Sequence, residues 1–342
     1  MNLLPSDDQL ELVSAAAEFV RARMPIEDIR RRAGDESPVD PAVWKEGAEM
    51  GLLTLGLAEE HGGAGQPFDD EALLFVELGR QLATGPFLAS TLGARVAAHC
   101  GDSELSGLIG TGSAVVGLAE LRGDGSVGAD GFTGTFDLID AAGCSHVLLI
   151  TRQGAALVAA SEFADALDLD SVDPAIRLAT ATVTAGSVVH WLPDSADSIW
   201  LRAVLLSAAF LAGIADGASQ LATEHAKTRV QFGRPIGVHQ AIKHACSDMA
   251  VRTEGAFAQV CFAAVCLASA RPNTLTQALA ARAVAASAAV DNGATCIHVH
   301  GGMGYTYEHN AHLYLKRAHV YKHLIVEPSE VLAELLTQEV AA

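Results

Sequence analysis

Positive charge is scarce in this chain. Its 342 residues carry 22 Lys and Arg against 41 Asp and Glu, for a formal net charge of −19. No basic run interrupts that balance, so nucleic acid is excluded as a partner. Acidity also keeps a protein soluble, which requires no partner. Cysteine is sparse: six residues, at 100, 144, 246, 261, 266 and 296, and none forms a CxxC pair. Several lie on apolar helical faces, so they read as buried free thiols in a reducing cytoplasm, not as a disulfide framework or a metal site. The longest uncharged apolar run, Ala203 to Ala215, is shorter than the ~20 residues that cross a bilayer. It reads as a buried bundle helix, and no membrane association is expected. A charged, apolar, cleavable leader is also missing before Ser6, which points to a cytoplasmic protein. Finally, Gly62-Gly63-Ala64-Gly65 lacks the GxGxxG spacing and follows no clear strand, which excludes a dinucleotide fold there.

What is present is apolar. Half of the residues are hydrophobic and 18% are charged, enough for a large core in two or three domains. Ser6-Asp7-Asp8-Gln9 reads as a capping box. Leu10, Leu12, Val13, Ala16, Phe19 and Val20 then recur at helical spacing, and Glu71 to Leu82 is a second amphipathic helix. From Ala114 the texture changes to short Val-, Ile- and Thr-rich runs: Ala114–Leu118, His146–Thr151, Ala155–Ala160 and Arg177–His190. Turn signals stand at Gly123-Asp124-Gly125 and Gly128-Ala129-Asp130-Gly131, and their spacing fits no EF-hand loop. Thr180, Thr182 and Thr184 alternate with Ala179, Ala181 and Val183, as in a half-buried strand. From Ser198 the chain is helical again, over Ile199–Thr228, Gln240–Ala268, Thr276–Val299, His309–Leu324 and a final short helix. The order predicts an α+β protein: an N-terminal helical domain (1–112), a small β domain (113–194) and a C-terminal four-helix bundle (195–342).

One stretch organises the rest, EHAKTRVQFGRPIGVHQAIKHACSDM from Glu224 to Met249. Gly233-Arg234-Pro235 breaks the helical pattern, so Arg229 sits in the last turn before a bend, with Gln231 and Phe232 beside it. A guanidinium beside an aromatic at a helix end suits a phosphate or a nucleotide. It also suits a plain helix C-cap.

The full string Arg229-Val230-Gln231-Phe232-Gly233-Arg234-Pro235-Ile236-Gly237, with His239-Gln240 and Lys243-His244, resembles the flavin-contacting stretch of the acyl-CoA dehydrogenase family. His300-Gly301-Gly302-Met303-Gly304-Tyr305-Thr306, then Tyr307-Glu308-His309 and Leu313-Tyr314, resembles that family's glycine-rich loop at the flavin pyrophosphate. Glu59-Glu60-His61-Gly62-Gly63-Ala64-Gly65 and Glu77-Leu78-Gly79-Arg80 agree. The likeness spans most of the chain, strong from residue 195 onward and weak between about 113 and 194. It implies FAD as cofactor, an acyl-CoA substrate and an electron-accepting flavoprotein partner. In that family a glutamate removes the α proton while the β hydrogen leaves as hydride to the flavin. Arg229, Phe232, Gln240, His298, Gly301 and Gly302 fall at its FAD-contacting positions, with His298 in place of the usual glutamine.

The same likeness exposes departures. Matching Lys316-Arg317-Ala318-His319-Val320-Tyr321 puts Ile325 where the family's late glutamate belongs. Glu327 follows two residues on, before Pro328, and is the one candidate base. Its other reading is a surface carboxylate at a helix end. The alternative early position falls near Ala203, beside Arg202, and Glu224, Glu254 and Glu308 read as solvated or bundle-pairing. The family's Thr-Glu-Pro-x-x-Gly-Ser-Asp-like string is replaced by Leu118-Ala119-Glu120-Leu121-Arg122-Gly123-Asp124-Gly125, and Thr135–Asp140 matches its flavin-ring strand poorly. Intact ADP-half contacts without a base resemble the short subunit of heterotetrameric (α2β2) actinobacterial acyl-CoA dehydrogenases that degrade steroid side chains, in which a longer homologous subunit supplies the base. A self-sufficient homo-oligomer using Glu327 and a flavin-free structural paralogue are the alternatives.

Overall fold

The computed structural model describes residues 5–338, so residues 1–4 and 339–342 of the expected outer segments lie outside the described residues. Along the chain run helices α1 (Asp7–Arg23), α2 (Asp28–Arg31), α3 (Pro41–Glu49), α4 (Phe68–Arg80), α5 (Phe87–His99) and α6 (Ser103–Gly110). Strands β1 (Val116–Gly128), β2 (Gly131–Ile139), β3 (His146–Ile150), β4 (Gly154–Ala159), β5 (Leu167–Leu169), β6 (Leu178–Gly186) and β7 (His190–Pro193) follow. The remainder is α7 (Ile199–Thr228), the ribbon β8 (Val230–Gln231) and β9 (Arg234–Pro235), then α8 (Gln240–Ala268), α9 (Thr274–His300), α10 (Ala311–Tyr321) and α11 (Pro328–Leu335). Packing divides the chain into two compact units, one from residues up to 21, 68–83 and 204 onward, the other from 22–67 and 84–203.

In the helical unit, α1 opens on the expected capping box: the Ser6 N–H donates to Gln9 Oε1 (2.9 Å) and the Gln9 N–H to Ser6 Oγ (3.2 Å). Helices α4 and α7 touch backbone to backbone. A Cβ on Gly79 would lie 2.0 Å from the Phe210 carbonyl oxygen, and one on Gly213 would lie 1.9 Å from that of Val76. Only glycine permits that approach. Among the described residues, two helices are long and apolar enough to cross a bilayer by length and composition. In α7 the apolar window is 83% buried inside the protein and in α8 only 33%. The first is a core helix, as the run Ala203–Ala215 predicts; the second leaves an apolar side open.

Helices α7, α8 and α9 are joined at one buried polar residue. Asn292 is fully buried. Its amide nitrogen lies 3.0 Å from the Ala215 carbonyl oxygen on α7, 3.1 Å from that of Met249 on α8 and 2.9 Å from Thr253 Oγ1. Its oxygen accepts from Arg252 Nε at 2.8 Å. These bonds and Gln259 Nε2 to Gln277 Oε1 (2.9 Å) set α8 antiparallel to α9.

In the other unit the strands form one sheet of order β5-β6-β2-β1-β3-β4-β7, parallel only at β1–β3. The inner Phe132, Phe136 and Phe163 meet with ring centroids 5.5–5.7 Å apart. Thr182 and Thr184 are exposed while Ala181 and Val183 are buried, the alternation expected of a half-buried strand. Three sequence expectations are corrected. Gly123-Asp124-Gly125 is no turn: β1 runs through it to Gly128, with a bulge between Arg122 and Gly125 that Gly123 allows at φ +65°. β2 was absent from the expected strands because Gly134 interrupts its inward row of Phe132, Phe136 and Leu138. The run Arg177–His190 is one strand, β6, which ends at Gly186 beside β2, and His190 opens a further strand, β7, beside β4. Of the six thiols, Cys100, Cys144 and Cys246 are only partly buried.

Asn292→Leu keeps the branched outline at a somewhat larger volume and removes every hydrogen bond that the Asn292 amide makes. It leaves Arg252 Nε without its acceptor and takes the second bond from two helical carbonyls that keep their backbone partners, and a buried donor left unmade costs about 1–3 kcal/mol. The expected outcome is a loss of about 3 kcal/mol in urea unfolding, and an unchanged midpoint would show the junction to be energetically idle.

Candidate functional site

The order of the helices brings three ends to one edge of the bundle. Because α8 runs antiparallel to α9, the N-terminus of α8 and the C-terminus of α9 are level. The C-terminus of α7 joins them, since the His225 ring stacks on His300 with centroids 4.1 Å apart. His300 in turn lies 4.4 Å from His309, in the connection to α10. The two motifs that stand some seventy residues apart in sequence therefore share one surface.

Each candidate contact sits at a helix end or in the hairpin that follows α7. The Arg229 backbone N–H continues α7 with a 2.8 Å bond to the His225 carbonyl. Its side chain is exposed and carries no side-chain hydrogen bond or ion pair among the described residues, so it caps no helical carbonyl. Phe232 and Gly233 are the two central residues of the β8–β9 hairpin, at φ +53° and +78°. Both angles being positive makes a tight turn of the I′ type, which glycine adopts freely and phenylalanine does not. Phe232 is nonetheless 89% exposed there. A strained, solvent-facing aromatic marks a contact surface. Gln240 opens α8, whose N-cap His239 makes no side-chain capping bond. That leaves the first amides of a 29-residue helix pointing outward, a favourable place for an anion.

Helix α9 ends at Gly301, with φ +62° and ψ −144°, a conformation open in practice to glycine alone. A Cβ on Gly301 or Gly302 would meet nothing within 4 Å, whereas one on Gly304 would lie 2.7 Å from the Ile297 carbonyl oxygen. Gly304 is thus needed by the fold, and Gly302 leaves its backbone open to an approaching group. His298 is exposed in the last turn of α9, and Tyr305 is 84% exposed.

The histidines behind this edge are neutral by construction. His300 donates from Nδ1 to the Cys296 carbonyl at 2.8 Å, while His309 Nδ1 accepts from the Ala311 N–H at 3.0 Å. Burial, then the neighbours His300, His309 and Arg229, push His225 down to about 4. Burial also lowers His300. Both His225 and His309 stand in the strings singled out in the sequence, which assign neither a role at the site. The signal available was the four-residue spacing of His225 and Arg229, which places both on one helix face.

The candidate base stands elsewhere in the same unit. Glu327 is the N-cap of α11 in extended backbone (φ −68°, ψ 141°), as Pro328 predicts. Its exposed carboxylate pairs with His323 Nδ1 at 2.7 Å. Ile325 has φ +72°, a rare conformation for a β-branched residue. Ala203 is fully buried and Arg202 is bound to Asp197 at 2.7 Å. Glu224 is exposed and paired with Lys227 at 2.6 Å, and Glu254 and Glu308 are exposed.

Family models for the acyl-CoA dehydrogenase N-terminal domain and C-terminal domain match residues 6–106 and 202–338. Acyl-CoA dehydrogenase IpdE2 of Mycobacterium tuberculosis is 34% identical over 336 residues, 97% of this chain and 98% of that protein. The chain belongs to the acyl-CoA dehydrogenase family. Among solved structures, a chain of the ChsE4-ChsE5 complex from Mycobacterium tuberculosis superposes with a TM-score of 0.85 at 24% identity, covering 100% of both chains. A chain of the Tcur3481-Tcur3483 steroid ACAD (G363A variant) gives 0.81 at 24% identity, covering 96% of each. These likenesses fix the acyl-CoA dehydrogenase fold: N-terminal helices, a mixed sheet and a C-terminal helical bundle.

The depressed His225 sets a pH dependence. Its folded-state value lies below the ordinary 6.5, so the unfolded chain takes up the proton first as pH falls. The stability that neutral His225 contributes is complete above pH 6.5 and is lost as pH falls towards 4. His225→Phe keeps a ring against His300 and removes the titration. The melting temperature of the variant is expected to fall less steeply between pH 6.5 and 4 than that of the wild type; parallel curves would refute the assignment.

Proposed function

We propose that this chain is the base-lacking subunit of a heteromeric, FAD-dependent acyl-CoA dehydrogenase. It supplies the ADP-half contacts, and a longer homologous subunit completes an α2β2 assembly. The observation that carries this reading is the outward-facing edge: Arg229, Gln240, His298, Gly301 and Gly302 at helix ends and Phe232 in the β8–β9 turn are all exposed. The family's late base position, meanwhile, holds Ile325. The edge suits an ADP moiety. Arg229 would neutralise pyrophosphate, the open backbone at Gly301 and Gly302 would allow close approach, Phe232 offers a flat ring, and Gln240 and His298 offer hydrogen bonds. When bound, FAD supplies the acceptor for the β hydrogen of the acyl thioester.

The sheet suits the flavin ring poorly. Four of its hydroxyls are already paired across strands, Ser126 with Thr133 at 3.2 Å and Thr135 with Thr182 at 3.0 Å. The open side of α8, with Val251 72% exposed, supports a partner subunit there. A steroid side-chain CoA is the first substrate to test, because one structural relative is described as a steroid ACAD. An electron-accepting flavoprotein, a cytoplasmic location and the division at 112/113 and 194/195 complete the proposal.

The test is purification of the chain alone and with a co-expressed long partner. The expected result is colourless, inactive protein alone and a yellow, active complex. Yellow, active protein from this chain alone would overturn the reading, and a colourless complex would favour the structural paralogue. Within the complex, Arg229→Ala is expected to weaken flavin retention by about one to two decades, the worth of a charge-assisted hydrogen bond, with assembly intact. Full retention on dilution would reduce Arg229 to a helix-end residue.

Glu327 decides between one and two sources of the base. Glu327→Gln is expected to leave turnover of the complex within about threefold, whereas loss of a general base costs about 10²–10⁴-fold. A hundredfold fall with flavin still bound would make the self-sufficient enzyme correct.

A further inference from the structure

Three imidazoles stack at the edge of the bundle, and two of them are tied down. His300 Nδ1 bonds the Cys296 carbonyl at 2.8 Å, and His309 Nδ1 takes the Ala311 N–H at 3.0 Å. His225 differs. Neither of its ring nitrogens makes a hydrogen bond among the described residues, and neither is buried. The ring is held by its flat face alone, on His300 with centroids 4.1 Å apart and planes 29° apart. Packing thus fixes the plane of the ring and leaves its polar atoms to solvent.

The place of the ring decides what those atoms can meet. Arg229 stands one turn further along the same face of α7, and its backbone N–H bonds the His225 carbonyl at 2.8 Å. The stacked partner, His300, leads directly into Gly301, where a Cβ would meet nothing within 4 Å. His225 is therefore flanked by an outward-facing guanidinium and by open glycine backbone. Those are the two features that suit a diphosphate.

The charges that act on the ring favour an anion there. They are Arg229 from α7, His300 from α9 and His309 from the connection to α10, and none is a carboxylate. Glu224, the adjacent acid, is turned to Lys227 at 2.6 Å. Cys296, behind His300, is a neutral thiol pushed up to about 12 by burial. Burial, then these neighbours, hold His225 at about 4 in the free protein. An opposite charge within about 4–6 Å reverses that balance and raises a pKa by about 1–3 units.

We propose that His225 is a further contact for a diphosphate at this edge: its ring N–H donates to a phosphate oxygen beside Arg229, and the ring takes up a proton from solvent as the anion binds. This role rests on the edge being the site of an ADP moiety, and it makes the grip on that moiety depend on pH. The value of His225 rises on binding, so affinity rises as pH falls.

The probe is ADP-ribose, a diphosphate diester without the terminal phosphate that titrates near pH ~6. Adenosine is the uncharged control. Binding to the ¹⁵N-labelled full-length chain is followed through the backbone amides of Arg229 and Gly301. The expected Kd is about 1 mM at about pH 7.5. It is expected to tighten about fourfold by about pH 5.5, the value for a ring moved from about 4 to about 6. His225→Phe keeps the stack and removes the donor. It is expected to bind about fivefold more weakly at the higher pH, the worth of one neutral hydrogen bond, and to show no tightening. His225→Gln keeps a donor that does not titrate. Its expected affinity is within about twofold of wild type at the higher pH, with no tightening at the lower. Wild-type affinity and pH slope in His225→Phe, with the Arg229 and Gly301 amides still responding, would overturn the role of His225 and leave the ADP site standing. No response of those amides to ADP-ribose in the wild type, or an equal response to adenosine, would overturn both.

Discussion

The buried amide of Asn292 sets the level of the three helix ends that meet at one edge of the bundle. It bonds α7 at Ala215 and α8 at Met249. From those levels to the edge α7 has ten residues to run to His225, α8 nine back to Gln240 and α9 eight to His300, or about 12–15 Å each at 1.5 Å per residue. The three helices therefore end together. An apolar residue at 292 would fill the same space, but apolar contact tolerates sliding where a directional bond does not. The polar junction fixes the axial register that an alanine-rich interface leaves soft. The glycine contacts of α4 with α7 are the other rigid element, because helix backbones in contact cannot slide without a clash.

Above that junction, electrostatics and strain divide the work. The imidazoles of His225, His300 and His309 form a neutral layer, with two tautomers set by the Cys296 carbonyl and the Ala311 N–H. A charged layer would repel itself and Arg229; a neutral one lets Arg229 be the cation that faces outward. Phe232 is held at positive φ by a two-residue hairpin too short to relax. Such a conformation costs about 1–3 kcal/mol and persists only where the surroundings impose it. Both features make sense for a surface that meets a ligand, and neither is required for packing.

Much of the helical half was legible because its signals are local. Periodicity and the breaks at Gly233–Pro235 place α7 and α8 at the ends the structure gives them, Ile199–Thr228 and Gln240–Ala268. The site residues were legible only through two motifs, since exposure at a helix end has no periodic signature. What could not be read is long-range. Asn292 looks like any polar residue in an alanine-rich helix until α7 and α8 are packed on it. β2 was hidden by Gly134, whose missing side chain breaks the alternation although its backbone pairs with both neighbours. The turn expected at Gly123–Gly125 failed for a related reason: glycine at positive φ serves a bulge as readily as a turn, and only the partner strand distinguishes them.

The segment past α10, where the sequence resemblance looks for a base, carries Ile325 and leaves the helical backbone as well. The helix stops at Tyr321, and its orphan carbonyls are taken by a buried cation from α9: Arg282 Nη2 donates to the Tyr321 carbonyl at 2.7 Å and to that of Leu324 at 2.9 Å. Ile325 then turns through positive φ, Val326 is buried, and Pro328 starts α11. A base aimed from this segment would need its backbone frame as well as a carboxylate. Here the frame has been terminated three ways, by Arg282, by the left-handed residue and by the proline. A glutamate placed at 325 would inherit a Cβ direction set by that turn and not by a helix. Glu327, two residues on, is already held at the surface by His323. The segment is built as a stable helix end, which is consistent with a chain whose chemistry is supplied by another subunit.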